Sequence, residues 1–116
     1  MDTDKRQSMR FNAPLKLELE KGDNEFIPGS LENFSRQGLE AVFNSFDFAP
    51  NSSVSLRVQE PNKDSYAALN AEVVWKKEVE GRWLVGMKLK EMSNWVKTEI
   101  LEYGFNAWRK SHKISQ

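Results

Sequence analysis

Two short groups of residues have types and spacing suited to binding chemistry. Arg6 and Arg10 stand four apart in the polar stretch DKRQSMR. Guanidinium groups are planar, permanently charged forks that suit an oxyanion. The pair is therefore compatible with a local pocket for a small anion, and equally with a solvated leader. The second group is Asn33-Phe34-Ser35-Arg36-Gln37-Gly38. Asn and Ser side chains donate, accept and imitate backbone turns, and Gly tolerates a positive φ. That hexapeptide reads as a structural turn, as a ligand site, or as both.

Other chemistry is poorly provided for. His112 is the single histidine, it lies in the polar tail RKSHKISQ, and there is no cysteine, so neither metal-ligand spacing nor a nucleophile–base pair is available. Asp23, Asp47 and Asp64 fall in turn-like stretches, and Glu18 and Glu20 alternate with apolar residues. These carboxylates read as turn and solubility residues. An enzyme is not expected, nor is a metal or organic cofactor. The four tryptophans, Trp75, Trp83, Trp95 and Trp108, are candidate base-stacking platforms. Their register with apolar stripes favours core packing for all four.

Composition narrows the class. The 116 residues are 39% hydrophobic and 29% charged, a soluble globular balance for one domain. Lys+Arg and Asp+Glu both count 17, which argues against binding a nucleic-acid polymer through a broad basic surface. No apolar run approaches the ~20 residues of a membrane span, and the first ten residues lack the apolar segment of a secretory signal. The expected compartment is the cytoplasm, with no membrane partner.

The elements that must position the two groups are mostly strands. Leu15, Leu17 and Leu19 alternate with charged residues, and Phe26 to Phe34 reads as a second strand, irregular near Pro28 and Gly29. Further alternation follows at Leu39-Ala41-Phe43, Val54-Leu56-Val58, Leu69-Ala71-Val73-Trp75 and Trp83-Val85-Met87-Leu89. After Glu91 the period becomes helical: Met92, Val96, Ile100, Tyr103 and Ala107 share one face, widened by Leu101, Phe105 and Trp108. Ser93 or Asn94 is placed to cap it, and Gly104 to weaken or end it. The expected fold is all-β: a six-stranded antiparallel β-barrel, closed to remove exposed edges, with a C-terminal α-helix packed on it. The expected organisation is an N-terminal arm over 1–12, a barrel-plus-helix domain over 13–110 with the helix at about 92–108, and a polar tail over 111–116.

Taken in order, these residues resemble the PilZ domain family. Arg6 and Arg10 match its RxxxR motif, and Asn33, Ser35 and Gly38 match its [DN]xSxxG motif, with 22 residues between Arg10 and Asn33. The segments AEVVW (71–75) and WLVGMKL (83–89) are similar to the family's later strands, with Gly86 at its usual glycine and Leu89 where many members carry Phe. The resemblance implies a split-barrel type of six-stranded barrel with a C-terminal helix, and binding of the bacterial second messenger cyclic di-GMP.

The implied ligand-binding residues are Arg6, Arg10, Asn33, Ser35 and Gly38, with Lys5 and Arg36 as additional candidates. Lys5 stands where a residue influences whether one ligand or a stacked pair binds. Arginine suits phosphate, the guanine O6/N7 edge and base stacking alike. In a regular strand, Asn33 and Ser35 would share a face. The arm is expected to fold over the ligand and become ordered, changing the surface shown to a partner. By resemblance that partner is a motility, pilus or exopolysaccharide component. Two rival readings are a PilZ-like interaction module that binds no nucleotide and, behind it, a barrel binding RNA or single-stranded DNA.

Overall fold

The computed structural model describes residues 11–111, with side chains from Pro14 onward except those of Trp108, Lys110 and Ser111. Arg6, Arg10, Lys5 and His112 lie outside the described residues. Six strands follow one another: β1 (Phe11–Gly22), β2 (Glu25–Phe34), β3 (Gly38–Phe43), β4 (Ser53–Gln59), β5 (Tyr66–Val79) and β6 (Arg82–Met92). They close into an antiparallel barrel in the order β1-β2-β3-β6-β5-β4, and a single helix, α1 (Asn94–Ser111), follows. The expected architecture is the observed one.

Alternation explains the wall. Leu15, Leu17 and Leu19 of β1, Val54, Leu56 and Val58 of β4, and Leu69, Ala71 and Val73 of β5 all point inward and are buried. Leu39, Ala41 and Phe43 of β3 complete the lining with Val85 and Met87 of β6. A fully buried Leu or Val contributes roughly 1.5–3 kcal/mol relative to exposure, so this shared lining is the main stabilising term. Turns of two or three residues link β1 to β2, β2 to β3 and β5 to β6. Glu80 and Gly81 both have positive φ (53° and 81°), the backbone twist that a two-residue hairpin between β5 and β6 requires.

The barrel closes across a short seam. β1 and β4 pair only at Leu17↔Val58, Glu18↔Arg57 and Leu19↔Leu56. Arg57 Nε donates to Glu18 Oε1 at 2.6 Å on the outside of that seam. The same guanidinium lies 4.0 Å from the Phe26 ring centroid and 5.5 Å from that of Tyr66. An exposed ion pair alone contributes little. Stacking between two rings adds a cation–π attraction and holds β2, β4 and β5 across the seam.

The helix begins where the Ser93 carbonyl accepts the Lys97 N–H at 3.0 Å, which makes Ser93 the N-cap. Val96, Ile100 and Gly104 are buried, and Tyr103 and Leu101 are partly buried, on the side that faces the barrel. Lys63 of the β4–β5 loop donates to Glu99 Oε2 at 3.1 Å and ties loop to helix. Glu99 and Glu60 together raise the Lys63 ammonium above its ordinary value.

Several expectations are corrected. Met92 closes β6, paired with Leu69, rather than opening the helix. The helix passes Gly104 and runs to Ser111, and Ala107 and Phe105 are exposed. β1 begins at Phe11, so the last two residues assigned to the arm are strand. Of the tryptophans, Trp83 packs against the core but Trp95 is 74% exposed, and Trp75 sits on the outer wall. The cause at Trp75 is a register shift between Val73 and Trp75: Val73 pairs with Met87, but Trp75 pairs with Gly86. One extra residue, Val74, reverses the pleat, and the alternation that looked inward continues outward.

Candidate ligand-binding site

The turn joining β2 to β3 is built around Ser35. Its side chain is buried, its hydroxyl donates to the Gly38 carbonyl at 3.3 Å, and the same oxygen accepts from the N–H groups of Gln37 (3.3 Å) and Gly38 (3.2 Å). The Ser35 backbone N–H also donates to the Gly38 carbonyl at 2.9 Å. The Gln37 carbonyl accepts the Leu89 N–H at 2.9 Å, which pins the turn to β6. Ser35 is thus engaged inside the turn and shapes it.

Gly38 is needed for a different reason from the one its place in a turn suggests. It is absent from the positive-φ glycines, among which Gly81 is the described example. A Cβ on Gly38 would instead lie 2.5 Å from the Met87 carbonyl oxygen, because β3 and β6 approach closely at the Gly38↔Lys88 pair. Arg36, at the tip, is exposed.

Asn33 does not share a face with Ser35. A register shift between Leu31 and Asn33 breaks the alternation, and β2 ends at Phe34, so Ser35 lies in the turn. Asn33 is half-buried, and its Nδ2 donates to Glu40 Oε1 at 3.0 Å. The backbone pairings then define a row across five strands: Asn12↔Asn33, Asn33↔Glu40, Glu40↔Gly86 and Gly86↔Trp75. A Cβ on Gly86 would lie 2.3 Å from Trp75 Nε1, so the indole rests on the glycine, and Trp75 remains 37% exposed. The row is a shallow platform with an amide, a carboxylate and an indole. Glu40 was missed by sequence reasoning, and Trp75 was weighed as a stacking residue but assigned to the core. A bulky residue beside a strand glycine was the one available signal, and it needed the pairing to be known.

Phe11 pairs with Phe34 and Asn12 with Asn33, so β1 begins beside the turn, and Arg10 is the residue before Phe11 in the chain. A groove of about 450 Å³ between α1 and the β4–β5 loop, lined by Asn62, Glu99, Glu102, Tyr103 and Asn106, contains none of the motif residues. Among the described residues no group of three or more His, Cys, Asp or Glu side chains can hold a metal ion. No described helix is long and apolar enough to cross a membrane.

Replacing Ser35 by alanine leaves the buried Gly38 N–H without its side-chain acceptor. The expected cost is about 1–3 kcal/mol, measured by urea unfolding. A change below the error of that measurement would show that the turn holds itself.

A small closed antiparallel barrel with a C-terminal helix and an NxSxxG turn at its rim defines the class. The PilZ domain profile matches residues 4–106, and the chain belongs to that family. Solved structures agree in fold. The inhibitor of motility MotI/DgrA of Bacillus subtilis superposes with a TM-score of 0.74 at 19% identity, covering 95% of this chain and 53% of that one. The PilZ domain of Escherichia coli YcgR, solved with c-di-GMP, gives 0.68 at 14% identity over 91% of this chain and 96% of that domain. A longer YcgR structure in complex with c-di-GMP gives 0.71 at 15%, with 46% of that chain covered. The chain therefore spans about half the length of MotI and of the longer YcgR structure. No curated protein sequence matches it significantly.

Proposed function

We propose that this chain is a cyclic di-GMP receptor that signals without catalysis. The observation that carries the proposal is the start of β1 at Phe11 beside the Asn33–Gly38 turn, with Arg10 immediately before Phe11 in the sequence and Arg6 four residues earlier. Family membership and the c-di-GMP held by the YcgR domain support the same ligand. In this reading the two guanidinium groups take phosphate and guanine edges. The turn held by Ser35 and Gly38 presents Asn33 to a base, and Lys5 and Arg36 flank the ligand. Binding settles the arm over the platform and changes the surface offered to a protein partner, for which a motility, pilus or exopolysaccharide component is the proposed kind. The compartment is the cytoplasm.

Calorimetry with cyclic di-GMP, GTP and a short oligonucleotide tests this directly. Saturable uptake of the cyclic dinucleotide alone is expected. Uptake of the oligonucleotide alone would replace the reading with a nucleic-acid barrel, and no uptake of any would leave an interaction module.

Trp75 extends the same reading. An exposed indole at the end of the row is a stacking surface for a purine, and a base–aromatic stack contributes about 1–3 kcal/mol by alanine substitution. Trp75→Ala is expected to weaken cyclic di-GMP binding correspondingly, with Trp75→Phe intermediate. Equal affinity in all three proteins would place the ligand elsewhere on the wall.

A further inference from the structure

β5 outlasts the strand beside it. Its pairing with β4 ends at Ser53↔Glu72. The loop before β4 adds one last exchange: the Val73 N–H donates to the Ser52 carbonyl at 2.9 Å, and the Val73 carbonyl accepts the Asn51 N–H at 2.7 Å. From Trp75 to Val79 the strand pairs with β6 alone, and among the described residues no strand lies on its other side. Such an edge presents unpaired N–H and C=O groups. Trp75, Lys77, Glu78 and Val79 are exposed. β1 also outruns β4, but Pro14 lacks an N–H in that stretch, and Pro14 and Leu15 share a groove with Tyr103 of α1.

The side chains decide what this edge accepts. After the Val74 bulge, Trp75, Lys77 and Val79 stand on the outer face at steps of two, and Arg82 is paired with Val79 across the hairpin. Among the described residues neither Lys77 nor Arg82 has an ion-pair partner. Lys76 is turned the other way, its Nζ 5.2 Å from the Trp83 ring centroid and 6.0 Å from that of Phe46. A second copy of this chain is a poor occupant. Antiparallel self-pairing about a two-fold axis sets the central residue, Lys76, Lys77 or Glu78, against itself, and like charges directly opposite destabilise. A carboxylate opposite Lys77, within reach of Arg82, has the complementary charge.

We propose that the free edge of β5 from Trp75 to Val79 docks an extended segment of a protein partner as an added antiparallel strand, with an acidic residue opposite Lys77 and apolar residues opposite Trp75 and Val79. Five strand residues span roughly 17 Å. Main-chain pairing supplies the affinity, and the outer-face side chains supply the selectivity. The proposal goes beyond the cyclic di-GMP reading and stands without it, so its test uses the ligand-free chain.

The probe is a blocked synthetic peptide, Ser-Val-Thr-Glu-Thr-Ile-Ser, titrated into isotope-labelled protein and followed by NMR. Saturable shifts centred on the amides of Trp75 to Val79 are expected. Replacing the peptide's Glu by Lys should weaken binding at least fivefold, and Lys77→Glu in the protein should reverse that preference. A peptide with N-methylated amides keeps its side chains, loses its donors and should not bind. Lys77 is exposed, so the variant should melt with the original protein; if it does not, the three peptides on the unmodified chain still decide. No shifts at this edge, or equal binding of acidic and basic peptides, would overturn the proposal. So would concentration-dependent dimerisation through the same amides, which would make a second copy the occupant.

Discussion

Alanine at Arg6 or at Arg10 should abolish or severely weaken cyclic di-GMP binding while the ligand-free protein melts at nearly its original temperature. Each charge-assisted contact contributes about 1.5–3 kcal/mol, or roughly 10- to 150-fold in affinity. A micromolar complex, about −8 kcal/mol, would become millimolar or undetectable when both arginines are replaced. The two effects separate because the arginines and the core are distinct. The buried lining is apolar, runs from Leu15 to Ile100, and sits inside strands that begin at Phe11. Arg10→Lys refines the test. It keeps the charge and loses the planar fork, so binding intermediate between the original and Arg10→Ala is expected. Calorimetry and thermal unfolding on the same samples decide the matter. A large drop in melting temperature with either alanine would mark that arginine as part of the scaffold.

Gly38→Ala is the substitution expected to damage the barrel most. Its new methyl would meet the Met87 carbonyl oxygen at 2.5 Å, and that oxygen is backbone, fixed in the β3–β6 ladder. The strands must separate at their first pair, and the hydrogen bonds that Ser35 makes with Gly38 separate with them. Overpacking of this kind costs about 1–3 kcal/mol, or a fall in melting temperature on the order of 5–15 °C for a domain of this size. Ligand affinity should fall as well, because the turn is part of the site. Gly86→Ala provides the contrast. There the methyl meets the Trp75 indole, a side chain that can swing away. Gly86→Ala should therefore cost less stability than Gly38→Ala while still displacing the proposed stacking surface. Equal melting temperatures for the two variants would contradict this account of the close approach.

The wall of the barrel was legible because burial on one face writes itself as alternation. Leu15-Leu17-Leu19 and Val54-Leu56-Val58 are buried as their spacing requires. Trp75 shows the limit. Counting by twos from Leu69 places it in the core, and a single bulge residue, Val74, sends it outside without any change in composition that marks the spot. Met92 shows another: one apolar residue satisfies the end of a strand and the start of a helix equally well. The turn motif was legible in outline, but the division of labour within it was not. Ser35 is absorbed by its own turn, and Gly38 answers to a neighbouring strand nearly fifty residues away in sequence. Glu40 and Trp75 fall in one row with Asn33 only through cross-strand register, which a linear pattern does not contain.

Circular closure also decides how another macromolecule can read this surface. Each strand has a neighbour on both sides, from β1 around to β4 and back. Where neighbouring strands pair, the peptide groups are already committed to the ladder, and the short β1–β4 seam is where that commitment is thinnest. A visiting chain can lay down a seventh strand, the route by which many extended peptides gain affinity from main-chain pairing, only where a strand outruns its neighbour, as β1 does beyond its three pairs with β4. Elsewhere recognition goes through side chains standing off the cylinder or through the solvent side of α1. The same shortage of raw edge leaves little for a second molecule to template upon, which guards the fold against runaway sheet growth.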